Sequence, residues 1–331
     1  MRLGFILLPF LCTVASAQRL FVDRTPMTLR LETDLHALFR DRGDQRKEHP
    51  AVLRYVAGAD TGTIDVKLRT RGLFRLKRCA FPPIRVNLPE KKLQHTPFAG
   101  QDKLKLVTHC QSDRAFERNL LREYALYRVL NALTDTSFRV RLAHVTYSDS
   151  ARADTVIRYG FLVESDAELA QRTGTKVLAT TNVNDLLMEQ SYMTLVAVFQ
   201  YLIGNTDWSV QARHNMLILL APTTRLAVPY DYDFSGAVNA SYAIPPPQIP
   251  IRSVRERNYR GFCQPDSVLM PVLDRFRTAK DSIYAAVRAV PDLPERDVRE
   301  LLEYFDGFYK DINDRGTVQR VFVHSCRVVP R

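Results

Sequence analysis

The hydrophobic pattern of this chain changes once, near Glu164, and that change most constrains its fold. Before it, short segments alternate apolar and polar side chains with a period of two, which is typical of β-strands. After it, apolar residues recur mainly at helical spacing over longer segments. Strands followed by helices predict an α+β protein built from two lobes, and the cleft between two such lobes is a common place for a ligand.

The elements can be placed along both parts of the chain. Strands are predicted at 28–31, 51–56, 63–70, 84–88, 103–108, 139–147 and 156–163, with a short helix at 34–39 and a long amphipathic helix at 113–133. The second part predicts helices at 185–203, 266–290 and 295–309 and two short strands at 216–220 and 225–230. The first part is therefore expected to be a sheet with one long helix, and the second to be mainly helical.

The N-terminus has the three-part pattern of a signal peptide. Arg2 is followed by an apolar segment at 3–14 and by the small residues Ala15, Ser16 and Ala17. This pattern predicts cleavage after Ala17 and export of a protein that begins at Gln18. No later segment has the length of apolar sequence that a membrane-spanning helix needs, so no membrane span is expected.

Cysteine content and charge limit the classes of function. Four cysteines lie beyond the predicted signal peptide, namely Cys79, Cys110, Cys263 and Cys326, and in an exported protein they are expected to form disulfides. Three pairings are possible, of which Cys79 with Cys110 and Cys263 with Cys326 is favoured because it keeps one disulfide in each half. The chain has 47 Lys and Arg against 36 Asp and Glu, a net charge of +11. These charges are scattered, so a nucleic-acid partner is not expected.

Acidic and amide side chains cluster around the two short strands of the second part. Asp207 follows the apolar helix and Gly204, Asn215 precedes the strand at 216–220, and Asp231 and Asp233 come at the end of the next strand. Alternation along that strand is expected to place Asp231 and Asp233 on one face, within reach of one cation. Phosphoryl transfer from a nucleotide needs this set: a carboxylate to accept the proton of the incoming hydroxyl, and oxygen ligands for Mg²⁺.

The same chemistry needs basic side chains from the first part to contact the phosphates. The candidates are Arg71, Arg85, Lys103 and Lys105, with Lys105 ranked first because it lies nearest to the helix that carries Glu123, the acid expected to position it. The arrangement resembles the active site of a protein kinase. Packing and turn roles for the acidic residues, and a solvated surface for the lysines, are the alternatives.

Four segments resemble the CotH kinase family of secreted or spore-coat proteins. They are Leu68-Arg69-Thr70-Arg71-Gly72, Arg118-Asn119, Tyr159-Gly160 to Glu164, and Asn205-Thr206-Asp207-Trp208 with Asn215, Asp231 and Asp233. The resemblance implies a bilobal, atypical protein-kinase-like fold, with a β-rich N-lobe at 18–164 and a helical C-lobe at 165–331. It also implies that Asp207 is the catalytic base, that Asn215 and Asp231 or Asp233 bind the metal, and that a basic residue of the first lobe contacts phosphate.

These observations predict an exported kinase-like enzyme. It would use ATP and Mg²⁺ or Mn²⁺ to phosphorylate a hydroxyl on a secreted or cell-surface protein. A second hypothesis is a non-catalytic exported scaffold whose basic surface binds an envelope partner or an acidic polymer. Metal-dependent hydrolysis by the acidic cluster is a third. The sequence leaves the acceptor and the oligomeric state open.

Overall fold

The computed structural model describes residues 19–179 and 183–328. The signal peptide predicted at 1–17 lies outside these residues. The strands are β1 (Met27–Thr33), β2 (His49–Ala57), β3 (Asp60–Thr70), β4 (Ile84–Asn87), β5 (Lys103–Val107), β6 (Val140–Asp149), β7 (Asp154–Val163), β8 (Lys176–Val177), β9 (Met216–Leu220) and β10 (Arg225–Pro229). The helices are α1 (Arg19–Val22), α2 (Leu35–Arg40), α3 (Phe74–Arg78), α4 (Arg114–Leu133), α5 (Asp166–Arg172), α6 (Gln190–Ile203), α7 (Asp266–Thr278), α8 (Lys280–Arg288), α9 (Glu295–Asn313) and α10 (Arg315–Val318).

Strands β1 to β7 form a closed barrel with the spatial order β1-β2-β3-β4-β5-β7-β6. Strand β1 closes it, because it pairs antiparallel with β2 and parallel with β6. Leu29 thus lies opposite Tyr55 on one side and Val145 on the other. The remaining neighbours in the barrel are antiparallel. Each barrel strand therefore has a partner on both sides, which removes the exposed edges of an open sheet.

This barrel corrects the expected fold class. The first part of the chain is not the open β-sheet lobe of a bilobal protein-kinase-like fold but a closed mixed barrel accompanied by helices. The strands themselves were predicted well, because the side-chain period reveals which residues face inward. The period contains no information about the neighbour of each strand, so the parallel pairing of β1 with β6 could not be read from it.

Two apolar cores meet at the wall of the barrel. The interior core is filled by inward side chains such as Leu31, Leu68 and Leu106, all buried. The larger core joins α4 to helices α6 to α9 and includes Phe161 of β7. Because β6 and β7 contribute side chains to both cores, α4 lies between the barrel and the other helices. Polar residues on α4 can therefore contact both parts of the protein.

Two disulfides tie the chain. Cys79 directly follows α3 and bonds to Cys110, which lies between β5 and α4; Cys263 bonds to Cys326 near the C-terminus. This is the pairing favoured from the sequence, with one disulfide in each half. The first disulfide holds the short helix α3 close to the beginning of α4.

Helix α6 begins five residues later than predicted, after a 3-10 turn at Asp185–Leu187. The reason is local: the side chain of Glu189 accepts hydrogen bonds from the backbone N–H groups of Ser191 and Tyr192 and so caps the helix. The helix predicted at 266–290 is likewise divided into α7 and α8 at Ala279. Across residues 19–179 and 183–328, no helix has both the length and the apolar character needed to cross a bilayer.

Candidate functional site

The apolar helix α6 ends in a turn that only glycine can make at this position. Gly204 has a left-handed backbone conformation with φ of 63°, and its N–H bonds back to the end of the helix. A Cβ atom here would also overlap the hydroxyl of Tyr304. After the turn, Asn205, Thr206 and Trp208 remain buried, whereas Asp207 is half-buried and reaches the surface.

The loop after Gly204 is held by hydrogen bonds to its backbone. Nη1 of Arg260 donates to the carbonyl oxygens of Thr206 at 2.6 Å and of Trp208 at 2.5 Å. The indole N–H of Trp208 donates to the carbonyl of Asn205 at 3.2 Å, and its ring is buried beneath the Arg260 guanidinium. The residue between these two anchored carbonyls is Asp207, whose position is therefore fixed from both sides.

The carboxylate of Asp207 makes contacts with both residues that precede β9. Nε2 of His214 lies 2.8 Å from Oδ1, and Nδ2 of Asn215 donates to Oδ2 at 3.1 Å and to the Asp207 carbonyl at 2.8 Å. Since a carboxylate only accepts hydrogen bonds, His214 donates. This hydrogen bond raises the pKa of His214 although burial opposes the shift. The Asp207 side chain is 29% exposed and so remains accessible.

The alternation of side chains suggested that Asp231 and Asp233 lie on a strand, but they do not. Strand β10 ends at Pro229, and Asp231 has a left-handed φ of 64°. Its backbone N–H donates to the hydroxyl of Tyr127 on α4 at 2.9 Å. The two carboxylates nevertheless converge, because both contact the guanidinium of Arg75.

Arg75 is the centre of a buried charge cluster. It lies on α3, and its Nη1 is 3.2 Å from Oε2 of Glu123 on α4. Its Nη2 also contacts Asp231, and its Nε lies 3.4 Å from Asp233. One guanidinium therefore serves three carboxylates that come from distant parts of the sequence.

The three carboxylates differ in their environment. Burial raises the pKa of Glu123 to about 7 and that of Asp233 well above its usual range, although Arg75 opposes both shifts. For Asp231, burial is outweighed by Arg75 and Arg71, which lower its pKa. The Asp231 side chain is 37% exposed, whereas that of Asp233 is 6% exposed and accepts from Tyr242. Asp231 is therefore the ionised and accessible member of the group.

Basic side chains of the barrel face the same region. Burial lowers the pKa of Arg71, and the negative charge of Asp231 opposes that shift. Arg85 on β4 lies opposite Lys105 on β5, and both Arg71 and Arg85 act on the ammonium of Lys105. Three of the four predicted phosphate contacts, Arg71, Arg85 and Lys105, thus lie close enough to influence one another.

The remaining basic candidate and the expected ion pair are arranged differently. Lys103 is half exposed and pairs with the adjacent Asp102 at 3.1 Å. Lys105 does not pair with Glu123; its Nζ lies 2.6 Å from Asp166 at the start of α5. The role expected for Lys105, which was pairing with the acid on the long helix, is taken by Arg75.

Three residues of the site adopt a backbone conformation that is unusual for side chains with a Cβ. Arg213, Asn215 and Asp231 have φ values of 51°, 53° and 64°. Such conformations cost free energy, on the order of 1 kcal/mol each, and persist where surrounding contacts hold them. Here the hydrogen bonds of Asn215 to Asp207 and of Asp231 to Tyr127 supply those contacts.

The oxygen donors of the site suit a divalent cation only in part. Within the described ranges, no group of three or more His, Cys, Asp and Glu side chains is arranged to hold a metal by itself. Mg²⁺ at a nucleotide site is usually bound by one or two carboxylates together with phosphate oxygens. The ionised Asp231 and the amide oxygen of Asn215 are donors of the types that this second kind of site uses, in which the ligand completes the coordination.

Several residues of the site were not identified from the sequence. Arg75 lies on a five-residue helix, which is too short for a hydrophobic period to reveal. Tyr127 and Tyr242 look like ordinary core residues in the sequence. Arg260 is distant along the sequence from the loop that it contacts in the folded protein. The one sequence signal that could have pointed to Arg75 was its spacing of four residues from Arg71, directly after a strand.

Comparison with known proteins assigns no family to this chain. No protein-family model matches it, and no curated protein is similar to it.

Proposed function

We propose that this chain is an exported phosphotransferase that moves the γ-phosphoryl group of a nucleotide to a hydroxyl on a secreted or cell-surface substrate. One observation carries the proposal. The carboxylate of Asp207 contacts Asn215 and acts on His214 together with the carboxylate of Asp231, and Asp231 is kept ionised by Arg71, directly after β3, and by Arg75. The proposal depends on this site and not on a bilobal kinase-like fold.

The basic residues account for nucleotide binding. Arg71, Arg85 and Lys105 influence one another electrostatically, and Arg71 also acts on the carboxylate of Asp231. Guanidinium groups bind phosphate oxygens through paired hydrogen bonds, and an ammonium adds a point charge. A polyphosphate bound here would satisfy the charge of these three side chains.

Asn215 and Asp231 are the residues that would hold Mg²⁺ or Mn²⁺ together with the phosphates. A bound cation would supply charge neutralisation on the transferred group. The buried Asp233 would act indirectly, because its contact with Arg75 helps to hold Asp231 in place. The chain's own contribution at this point is an oxygen-rich surface opposite the basic side chains.

Asp207 is the residue that would accept the proton. The acceptor oxygen forms a bond to the γ-phosphorus while the bond from that phosphorus to the β–γ bridging oxygen breaks, and the hydroxyl proton passes to the Asp207 carboxylate. The nucleoside diphosphate is the leaving group. The hydrogen bonds from His214 and Asn215 orient the carboxylate for this step.

Export is the part of the proposal that concerns location. It rests on the signal-peptide pattern at residues 1–17 and agrees with the two disulfides, which form in oxidising compartments. The nucleotide must then be met during or after export.

A second candidate, nucleotide or anion binding without transfer, is favoured by one observation. The Arg75 guanidinium already contacts Asp231, Asp233 and Glu123, so it reduces the negative charge available to a metal. A protein that binds a polyanion as a scaffold needs the basic residues and not the metal. The two candidates share the binding surface and differ in chemistry.

The experiment compares purified residues 18–331 with its Asp207→Asn variant. Both are incubated with γ-labelled ATP, Mg²⁺ and a generic protein acceptor, and melting is measured with and without nucleotide. Phosphotransfer predicts labelled acceptor for the wild type, a loss of at least about 100-fold in Asp207→Asn, and nucleotide stabilisation of both. Asp44→Asn, at an exposed loop position, is the matched control and should transfer normally.

The other outcomes are equally informative. Stabilisation by nucleotide without transfer in any of the three proteins supports the binding candidate. If ATP and Mg²⁺ change neither the melting temperature nor the acceptor, both candidates are wrong.

A further inference from the structure

A second concentration of positive charge lies away from the candidate site. A pocket of about 190 Å³ is found at the C-terminal end of α4, between the chain that follows α1 and the start of β6. The side chains of Arg24, Arg128 and Arg139 line it, together with the polar residues Asn131, Thr134, Asp135 and Ser137. None of the proposed phosphotransfer residues lines this pocket.

The three arginines of this pocket make no direct ion pair with a described residue, although Glu164 and Asp135 act on Arg139 at longer range. No side-chain hydrogen bond or ion pair joins any of their guanidinium groups to another described residue. Two of the nearby carboxylates are engaged elsewhere, and the third, Asp135, lines the pocket itself. Glu164 accepts two hydrogen bonds from Arg172, at 2.9 and 2.8 Å, and Asp23 accepts from Arg141 at 2.6 Å.

Their proximity to one another is unfavourable without a counter-charge. Burial lowers the pKa of Arg128, and the charge of Arg24 adds to that shift. Burial also lowers the pKa of Arg139, with contributions from Arg172 and Arg24 that Glu164 and Asp135 oppose. Partly buried guanidinium groups without partners are rare because the cost of desolvation is not offset.

We propose that this pocket binds a tetrahedral oxyanion, as a free phosphate or sulfate or as the ester group of a larger molecule. Guanidinium groups suit such an anion because each can donate two parallel hydrogen bonds to its oxygens. The volume argues for a small group, since pockets for whole organic ligands are usually about 300 Å³ or more. The hydroxyls of Thr134 and Ser137 line the same pocket and suit an oxygen-rich ligand.

Two features place negative charge at the pocket and so weaken anion binding. The C-terminal end of α4 presents the negative end of its backbone dipole, and Asp135 lines the pocket as a carboxylate. Three guanidinium groups exceed this opposing charge. Asp135 therefore offers a substitution that should strengthen binding at this pocket, because it removes the one carboxylate in its lining.

The test uses inorganic phosphate as the probe, titrated into residues 18–331 by calorimetry at constant ionic strength set with chloride. Arg128→Gln and Arg139→Gln are each expected to weaken phosphate binding about tenfold, through loss of charge-assisted hydrogen bonds. Asp135→Asn is expected to tighten binding. Arg299→Gln removes the same charge from an exposed position on α9 and is expected to bind like the wild type.

Arg24→Gln is the additional variant if either partly buried arginine proves necessary for folding, since Arg24 is exposed. It should also weaken binding while the melting temperature in chloride stays unchanged. Comparing phosphate with a sugar phosphate monoester separates the two sources: tighter binding of the ester indicates a group on a larger molecule, and tighter binding of phosphate a free ion.

Phosphate could also bind at the phosphotransfer site, so Arg71→Gln is included. If Arg71→Gln abolishes binding while Arg128→Gln and Arg139→Gln leave it intact, the inference is wrong and the proposed function is unaffected. Absence of any phosphate binding by the wild type would also overturn it.

Discussion

The guanidinium of Arg75 and the carboxylate of Glu123 form a buried ion pair, with Nη1 3.2 Å from Oε2. One residue lies on the short helix α3 beyond the barrel strand β3, and the other on the long helix α4. The pair therefore joins the barrel to the helical part of the protein. It also contacts Asp231 and Asp233, so it links that junction to the candidate site.

Replacing Arg75 should destabilise the protein strongly. Arg75→Met leaves three buried or half-buried carboxylates without their cation, and breaking a buried pair in this way costs about 3–5 kcal/mol. The free energy of unfolding in urea measures the loss. Arg78→Met, on the exposed side of the same helix, should change it by less than about 0.5 kcal/mol.

Arg75→Lys refines this prediction. It keeps the charge and loses the planar fork, so its stability should fall between those of the wild type and Arg75→Met. A value for Arg75→Met within about 1 kcal/mol of the wild type, well below the expected cost, would show that the cluster does not hold the junction together.

The raised pKa of Glu123 makes stability depend on pH. Burial moves this pKa from an ordinary value of 4.5 to about 7, so the folded protein binds the proton more tightly than the unfolded chain. The contribution of Glu123 to stability is therefore complete below about pH 4.5 and is lost as pH rises through about 7. Urea denaturation between pH 5 and pH 8 should show a smaller decline in Glu123→Gln than in the wild type.

Two other groups also make the stability of the protein depend on pH in that range. Asp233 is shifted in the same direction by burial, and the raised pKa of His214 also removes stability as pH rises above 6.5. Glu303→Gln, at an exposed position on α9, serves as the control and should decline like the wild type. Equal declines in Glu123→Gln and the wild type would contradict the assignment.

The hydrogen bond between His214 and Asp207 should be visible in a titration. The imidazole pKa of His214 is raised above 6.5, mainly because the carboxylate accepts from Nε2. NMR titration of the ring signals should give a lower pKa in Asp207→Asn than in the wild type. An unmoved His214 pKa would mean that the pair is not formed in solution.

The disulfide between Cys79 and Cys110 should matter to the site as well as to stability. Its loop of 31 residues predicts a loss of about 3–4 kcal/mol when both cysteines become alanine. Replacing Cys263 and Cys326, which close a loop of 63 residues, predicts a loss of about 4 kcal/mol. Hydrogen exchange should show faster opening of α3 in the first double variant only, because Cys79 directly follows the helix that carries Arg75.

The sequence predicted elements better than their assembly. Strands β9 and β10 and helix α4 were placed within one residue, because alternation and helical spacing depend only on local side chains. Closure of the barrel depends on the pairing of β1 with β6, a contact between distant segments that leaves no periodic mark. The expected kinase-like lobe was wrong for that reason.

In the candidate site too, local features could be read from the sequence and long-range contacts could not. Asp207, Asn215, Asp231 and Asp233 could be named as candidates because their residue types and their places at element ends are visible in the sequence. Arg75 was not found, since its role arises from contacts with three carboxylates that only the folded chain brings together. The pairing of Lys105 with Asp166 was missed in the same way.

Trp208 is the single tryptophan of the chain, and it follows Asp207 directly in the loop that Arg260 anchors. The intrinsic fluorescence of the unlabelled protein therefore comes from this one loop when excited at the red edge of indole absorption. A ligand that moves the loop, or an Arg260 variant that releases it, would shift the emission of a buried indole. The protein thus carries its own optical reporter beside the residue proposed to accept the proton.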